Sequence, residues 1–225
     1  MQPKTQYMER FIMQDLIAWK NREDRKPLIL LGARQVGKTY ILKEFGQREF
    51  ENVAYINCDN NAMAKDLFAS DYNIDRILLT IGAITGVNIE AGKTLIIMDE
   101  IQELHRGLAS LKYFCENARE YHVAVAGSLL GLSLHQGESY PVGKVNTLEM
   151  YPMTFEEFLW ARGFKQRMDL LQHGMWDVVK SLRTLYIQHL REYYLVGGMP
   201  EAVNKFIETN DANAVREVQE EIIRA

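Results

Sequence analysis

PLILLGARQVGKT, residues 27–39, sets a short apolar run ahead of a loop that opens on Gly32, closes on Gly37 and ends in Lys38 and Thr39. The run has the length of a buried strand and the residues beyond it open an amphipathic stretch, so the loop lies between a strand and a helix, the context a phosphate-binding loop requires. Gly32 and Gly37 permit backbone angles that direct N–H groups inward, and Ala33, Arg34, Gln35 and Val36 supply the amides between them. Lys38 can reach β- and γ-phosphates, Thr39 can put its hydroxyl on Mg²⁺, and Tyr40 follows directly. The alternative is a glycine-rich turn without a ligand.

A second segment, TLIIMDE at 94–100, is an apolar run closed by two adjacent carboxylates. Placed at the C-terminal end of a buried parallel strand, it falls where open α/β sheets bind ligands. Asp99 can hold Mg²⁺ directly or through water, and Glu100 can orient or deprotonate a water that attacks a γ-phosphate. Without a preceding phosphate loop, such a pair reads as a helix cap or a solvated loop. A third apolar run, HVAVAGS at 122–128, ends at Ser128, which either contacts the γ-phosphate or the attacking water, if this strand lies between the other two, or caps a helix starting at Leu129.

Further apolar runs at 53–57 and 145–150 alternate with helical periodicity at 74–84 and 108–118, which predicts an α/β fold: a parallel sheet flanked by helices. Met8, Phe11, Ile12, Leu16 and Trp19 predict a helix over 7–19 ahead of the first strand. Beyond 160 only helical signals remain, at 181–195, 201–208 and 212–224, so the chain divides into a core over 1–160 and a small helical lid subdomain over 161–225. The last helix reaches the end of the sequence without a stop signal, so the lid is expected to be truncated there.

The net charge of -4 removes the whole-molecule electrostatic argument for a nucleic-acid partner. Cys58 and Cys115, the two cysteines, stand far apart in no metal-ligand spacing and suit a reducing compartment. No apolar stretch approaches the roughly 18 residues that span a bilayer, and the N-terminus is polar, so a cytoplasmic location without membrane contact is expected.

GARQVGKT, IIMDEIQ, AGSLLGLSL, PVGKVNTLEMYPMTFEEFL and LVGGMPEAV stand in this order along the chain. The series resembles the archaeal-ATPase-like branch of the AAA+ proteins, related to the STAND switch ATPases. DEIQ, YPMTFEEFL and GGMPE are the portions particular to that group. The resemblance implies ATP and Mg²⁺ as ligands, Asp99 and Glu100 as the Walker B pair and Ser128 as the sensor 1 position. It implies an adenine-side motif at Gly198 to Pro200 and an adenine contact in the region from Tyr7 to Arg10. Many relatives continue into a further C-terminal domain. Some carry Gly-Arg where this chain has Gly143 and Lys144, and lysine lacks the guanidinium fork. Gly-Gly-x-Pro is equally an ordinary turn between helices.

A guanine-specific NKxD sequence is absent, since Phe206 and Ile207 follow Asn204 and Lys205, which favours ATP over GTP. These features lead to a Mg²⁺-dependent ATPase acting as a nucleotide-driven switch, with a protein partner or self-association. A nucleotide-gated binding module without turnover and a P-loop small-molecule kinase are the alternatives.

Overall fold

The computed structural model describes residues 8–59, 61–68, 71–128 and 141–224. Two compact units are present, residues 12–150 and residues 8–11 with 151–224.

The first unit is built on five parallel strands: β1 (Leu28–Gly32), β2 (Asn52–Asn57), β3 (Thr94–Asp99), β4 (His122–Ser128) and β5 (Asn146–Met150), in the spatial order β2-β3-β4-β1-β5. All six residues of β3 are buried, as are Leu28, Ile29 and Leu30 of β1. Continuous apolar runs are the pattern of parallel strands covered on both faces. Side chains alternate between those faces. Ile29, Ile96, Met98, Val123 and Val125 join one core with α4 (Ile74–Thr85) and α5 (Gly107–Asn117). Leu28, Leu30, Leu95, Ile97 and Ala124 join the opposite core with α1 (Ile12–Lys20) and α2 (Lys38–Glu49). β5, at an edge, alternates between part-buried and exposed residues until Met150. A single-turn helix, α3 (Ala62–Lys65), is capped by the Asn61 side chain.

The second unit is helical, with α6 (Phe155–Ala161), α7 (Lys165–Gln172), α8 (Trp176–Ser181), α9 (Arg183–Val196), α10 (Pro200–Thr209) and α11 (Ala212–Arg224). Met153, Phe158, Leu159, Val196, Val203, Phe206 and Val215 form its core. The division falls after Met150 rather than at the expected 160, because Met153 and α6 pack into this helical core.

Met8 and Phe11 also differ from expectation. The first helix begins at Ile12, and Met8 is buried in the helical core, while the Phe11 ring meets Trp160 with centroids 4.6 Å apart. Glu157 accounts for the change. Its Oε1 accepts the Phe11 N–H at 2.8 Å and pairs with Arg10 Nε at 3.1 Å, both charged groups being buried. Its Oε2 accepts the Thr154 N–H at 2.9 Å while Thr154 Oγ1 accepts the Glu157 N–H, a reciprocal cap on α6. The periodicity of Met8 and Phe11 therefore reports packing, but as a non-helical arm that ends in a turn at Phe11.

The α9–α10 connection explains one conspicuous motif. Gly197 closes α9 at φ 73° and Pro200 opens α10 at its first position. Gly198 O accepts the Met153 N–H at 2.6 Å, and a Cβ on Gly198 would stand 2.3 Å from Met153 O. GGMPE and YPMTFEEFL thus meet backbone to backbone. Gly198→Ala is expected to destabilise the chain by about 3 kcal/mol, the upper end for overpacking, read as a lower urea midpoint at unchanged m-value. An unchanged midpoint contradicts the close approach.

Candidate nucleotide site

The parallel register brings the C-terminal ends of the central strands to one edge. Gly32 lies opposite Ser128, Asp99 opposite Ala126 and Asn57 opposite Asp99. β4 lies between β1 and β3, the condition set for Ser128 by the sequence reasoning. The Ser128 side chain and the helix expected from Leu129 lie outside the described residues.

The loop leaves β1 through a tight exit. A Cβ on Gly32 would lie 2.4 Å from Met150 O and 3.1 Å from Val36 Cγ1, so only glycine fits here without a backbone shift. Val36 is fully buried and pins the loop, whereas Ala33, Arg34 and Gln35 are exposed. Gln35 at φ 59° and Gly37 at φ 99° adopt left-handed angles, which turn the chain into α2. The first helical bond runs from Ile41 N–H to Gly37 O at 3.0 Å. The N-terminus of α2 therefore stands at the loop, and its amides and dipole favour an anion.

Lys38 begins α2 with a buried side chain. Its Nζ donates to Gly32 O at 3.0 Å and Ala33 O at 2.8 Å, which folds the ammonium across the loop. Burial pulls it below the usual lysine range and Arg34 adds to this, against the opposing pull of Glu100 and Asp99. The next residue links the loop to β3. Thr39 Oγ1 donates to Asp99 Oδ2 at 2.6 Å, and Tyr55 OH donates to the same oxygen at 3.2 Å. Tyr40 is a surface residue one position on.

Glu100 follows Asp99 in a left-handed conformation, φ 52° and ψ 47°, at the head of a 3-10 turn over Ile101–Glu103. That turn brings Gln102 back, and its Nε2 donates to Glu100 Oε2. Gln102 is buried, and its Oε1 has no hydrogen-bond partner among the described residues. Beside the carboxylates, Cys58 donates its N–H to Asp99 O at 2.9 Å. Burial, then Asp99 and Glu100, push its thiol up to about 12, and the Tyr55 phenol is pushed to about 12 by burial and Asp99. Both shifts follow from burial beside two carboxylates.

These residues fit a nucleotide with Mg²⁺. Thr39 and Asp99 present two adjacent oxygens, and among the described residues no cage of three or more His, Cys, Asp or Glu gathers around a metal. Two protein oxygens completed by phosphate and water are a usual setting for Mg²⁺. Lys38 and the start of α2 supply the positive counterpart for polyphosphate.

Arg10 and Pro200, expected on the adenine side, belong to the helical unit. The Arg10 guanidinium engages Glu157 and donates to Tyr151 O at 2.6 Å, and Pro200 starts α10. Tyr7 lies outside the described residues. Sequence reasoning missed Tyr55 and the pairing of Gln102 with Glu100. Gln102 carried a signal, as the last letter of DEIQ, whereas Tyr55 carried none beyond its place near the end of a strand.

Fold and site together define a P-loop protein of the α/β class. A family model for the AAA domain matches residues 24–159, more than half of the sequence, and the chain belongs to this family. It is 28% identical over 197 residues to the uncharacterized protein MJ1637 of Methanocaldococcus jannaschii, a match that covers 80% of this chain and 39% of the relative. The chain thus spans less than half the length of that relative. A RuvB variant of Thermotoga maritima shares the fold at a TM-score of 0.50 and 16% identity, over 93% of this chain and 66% of that one. Among the described residues no helix is long and apolar enough to cross a membrane.

Lys38→Ala is expected to weaken nucleoside triphosphate binding about 10–100-fold, the range for losing charge-assisted hydrogen bonds. Calorimetry on the whole chain reads the effect, and an unchanged affinity contradicts the assignment of the loop.

Proposed function

We propose that this chain binds ATP with Mg²⁺ on the loop 32–39, hydrolyses it, and acts as a nucleotide-driven switch. The observation that carries the reading is the 2.6 Å contact from Thr39 to Asp99, which joins the phosphate loop to the carboxylates of β3. On this reading Lys38 leaves its carbonyl partners Gly32 and Ala33 for the β- and γ-phosphates, while the loop amides and the first turn of α2 hold the remaining phosphate oxygens. Thr39 and Asp99 hold Mg²⁺, which when bound neutralises charge on the phosphates. Glu100 orients the attacking water and takes its proton, with Gln102 fixing the direction of the carboxylate. Ser128 serves the γ-phosphate side. The missing NKxD sequence supports ATP over GTP.

The resemblance to the STAND-related branch supports the switch role, with a protein partner or self-association reading the nucleotide state. A cytoplasmic location rests on the free, buried thiols of Cys58 and Cys115. A second reading, tight nucleotide binding with little turnover, is favoured by one observation. The Gln102 amide donates to Glu100 Oε2 and so occupies a carboxylate oxygen that an attacking water would otherwise approach.

Glu100→Gln keeps the size and polarity of the side chain and removes its basicity. Turnover of ATP is expected to fall about 10²–10⁴-fold, the usual contribution of a positioned general base, with affinity nearly unchanged. Phosphate release by the variant at the wild-type rate contradicts the hydrolytic role. Retained nucleotide without wild-type turnover favours the second reading.

A further inference from the structure

Asp99 Oδ2 accepts from two hydroxyls, and the two differ in what a metal asks of them. Ligands on adjacent octahedral positions about 2.1 Å from Mg²⁺ stand about 3 Å apart. If Thr39 and Asp99 both ligate, their 2.6 Å contact must lengthen as the metal enters. The Tyr55 contact, at 3.2 Å, is under no such demand.

Tyr55 is held from behind. It stands on β2 opposite Ile97 of β3, and its ring packs against the core that includes α2. Lys43 Nζ lies 3.4 Å from the ring centroid, an attractive contact between an ammonium and the negative face of the ring. Lys43 is four residues beyond Thr39, on the same face of α2. One helix face therefore reaches Asp99 twice, directly through Thr39 and indirectly through Lys43 and Tyr55. A phenol, with an ordinary pKa of about 10, keeps its proton and remains a donor at neutral pH.

We propose that Tyr55 is a positioning residue for the metal-side carboxylate: its hydroxyl, with the ring clamped by Lys43, holds Asp99 in the orientation that receives Mg²⁺. The inference rests on the metal role given to Asp99 under Proposed function. It assigns to β2, an edge strand with no residue in the phosphate loop, a part in the metal dependence of nucleotide binding.

The test is calorimetric titration of the whole chain with a non-hydrolysable ATP analogue (AMP-PNP), across Mg²⁺ concentrations and in EDTA, with the thermal midpoint as a control for folding. Tyr55→Phe removes the hydroxyl and keeps the ring under Lys43. Its half-saturating Mg²⁺ concentration is expected to rise about tenfold, as for loss of one hydrogen bond to a charged group. Affinity in EDTA and the thermal midpoint are expected to stay at wild-type values. Lys43→Gln is expected to raise the Mg²⁺ midpoint less, in the same direction. An unchanged Mg²⁺ midpoint in Tyr55→Phe, or an equal loss in EDTA, overturns the positioning role, and an unchanged midpoint in Lys43→Gln overturns the clamp. Wild-type binding indifferent to Mg²⁺ overturns the metal reading of Asp99 and the inference together.

Discussion

The hydrogen bond from Thr39 Oγ1 to Asp99 Oδ2 spans from the first turn of α2 to the tip of β3. β3 and β1, the strand that leads into α2, flank β4, and the two residues lie sixty positions apart in sequence. Their meeting depends on the parallel register, in which the strand ends lie on one edge, and the register depends on side chains that must point into one of two cores. A one-residue slip of β3 would exchange Ile96 and Met98 with Leu95 and Ile97 between faces and carry Asp99 away from the loop. The packing of apolar residues thus sets the position of the polar ones.

Electrostatics at this edge are arranged as two opposed groups. Asp99 and Glu100 stand beside Cys58 and Tyr55, whose acidity burial and these carboxylates lower, while Lys38 and the α2 N-terminus lie at the loop. The ammonium occupies carbonyls of its own loop, which satisfies a buried cation. A polyphosphate with a divalent cation would answer both groups at once, negative oxygens toward Lys38 and positive charge toward Asp99. Burial makes each of those interactions stronger than it would be in water.

What the sequence made legible follows from the range of the interactions. β1 and β3 were readable to within a residue because each is a fully apolar run bounded by turn chemistry, and the loop 32–39 because its spacing is set by local backbone geometry. The arm at Met8 to Phe11 was misread as helix because its non-helical path depends on Glu157, distant along the chain, which no local periodicity encodes. Tyr55 was invisible for the same reason. Its partner Asp99 sits on another strand and its clamp Lys43 on a helix, so the pairing exists only after the sheet has formed. Gly198 lay between these cases: the motif was plain, while its contact with the Met153 backbone, which explains the glycine, was not.

Where phosphate and metal bind decides how this edge of the sheet works. A crystal structure of the chain with Mg²⁺ and a triphosphate analogue measures this. The expected result has the β- and γ-phosphates within hydrogen-bond distance of Lys38 Nζ and the loop amides, and Mg²⁺ about 2.1 Å from Thr39 Oγ1 beside Asp99. The Thr39–Asp99 separation is then longer than the present 2.6 Å. Phosphates bound away from residues 32–39, or a Lys38 still held by Gly32 O and Ala33 O with the triphosphate present, would contradict it.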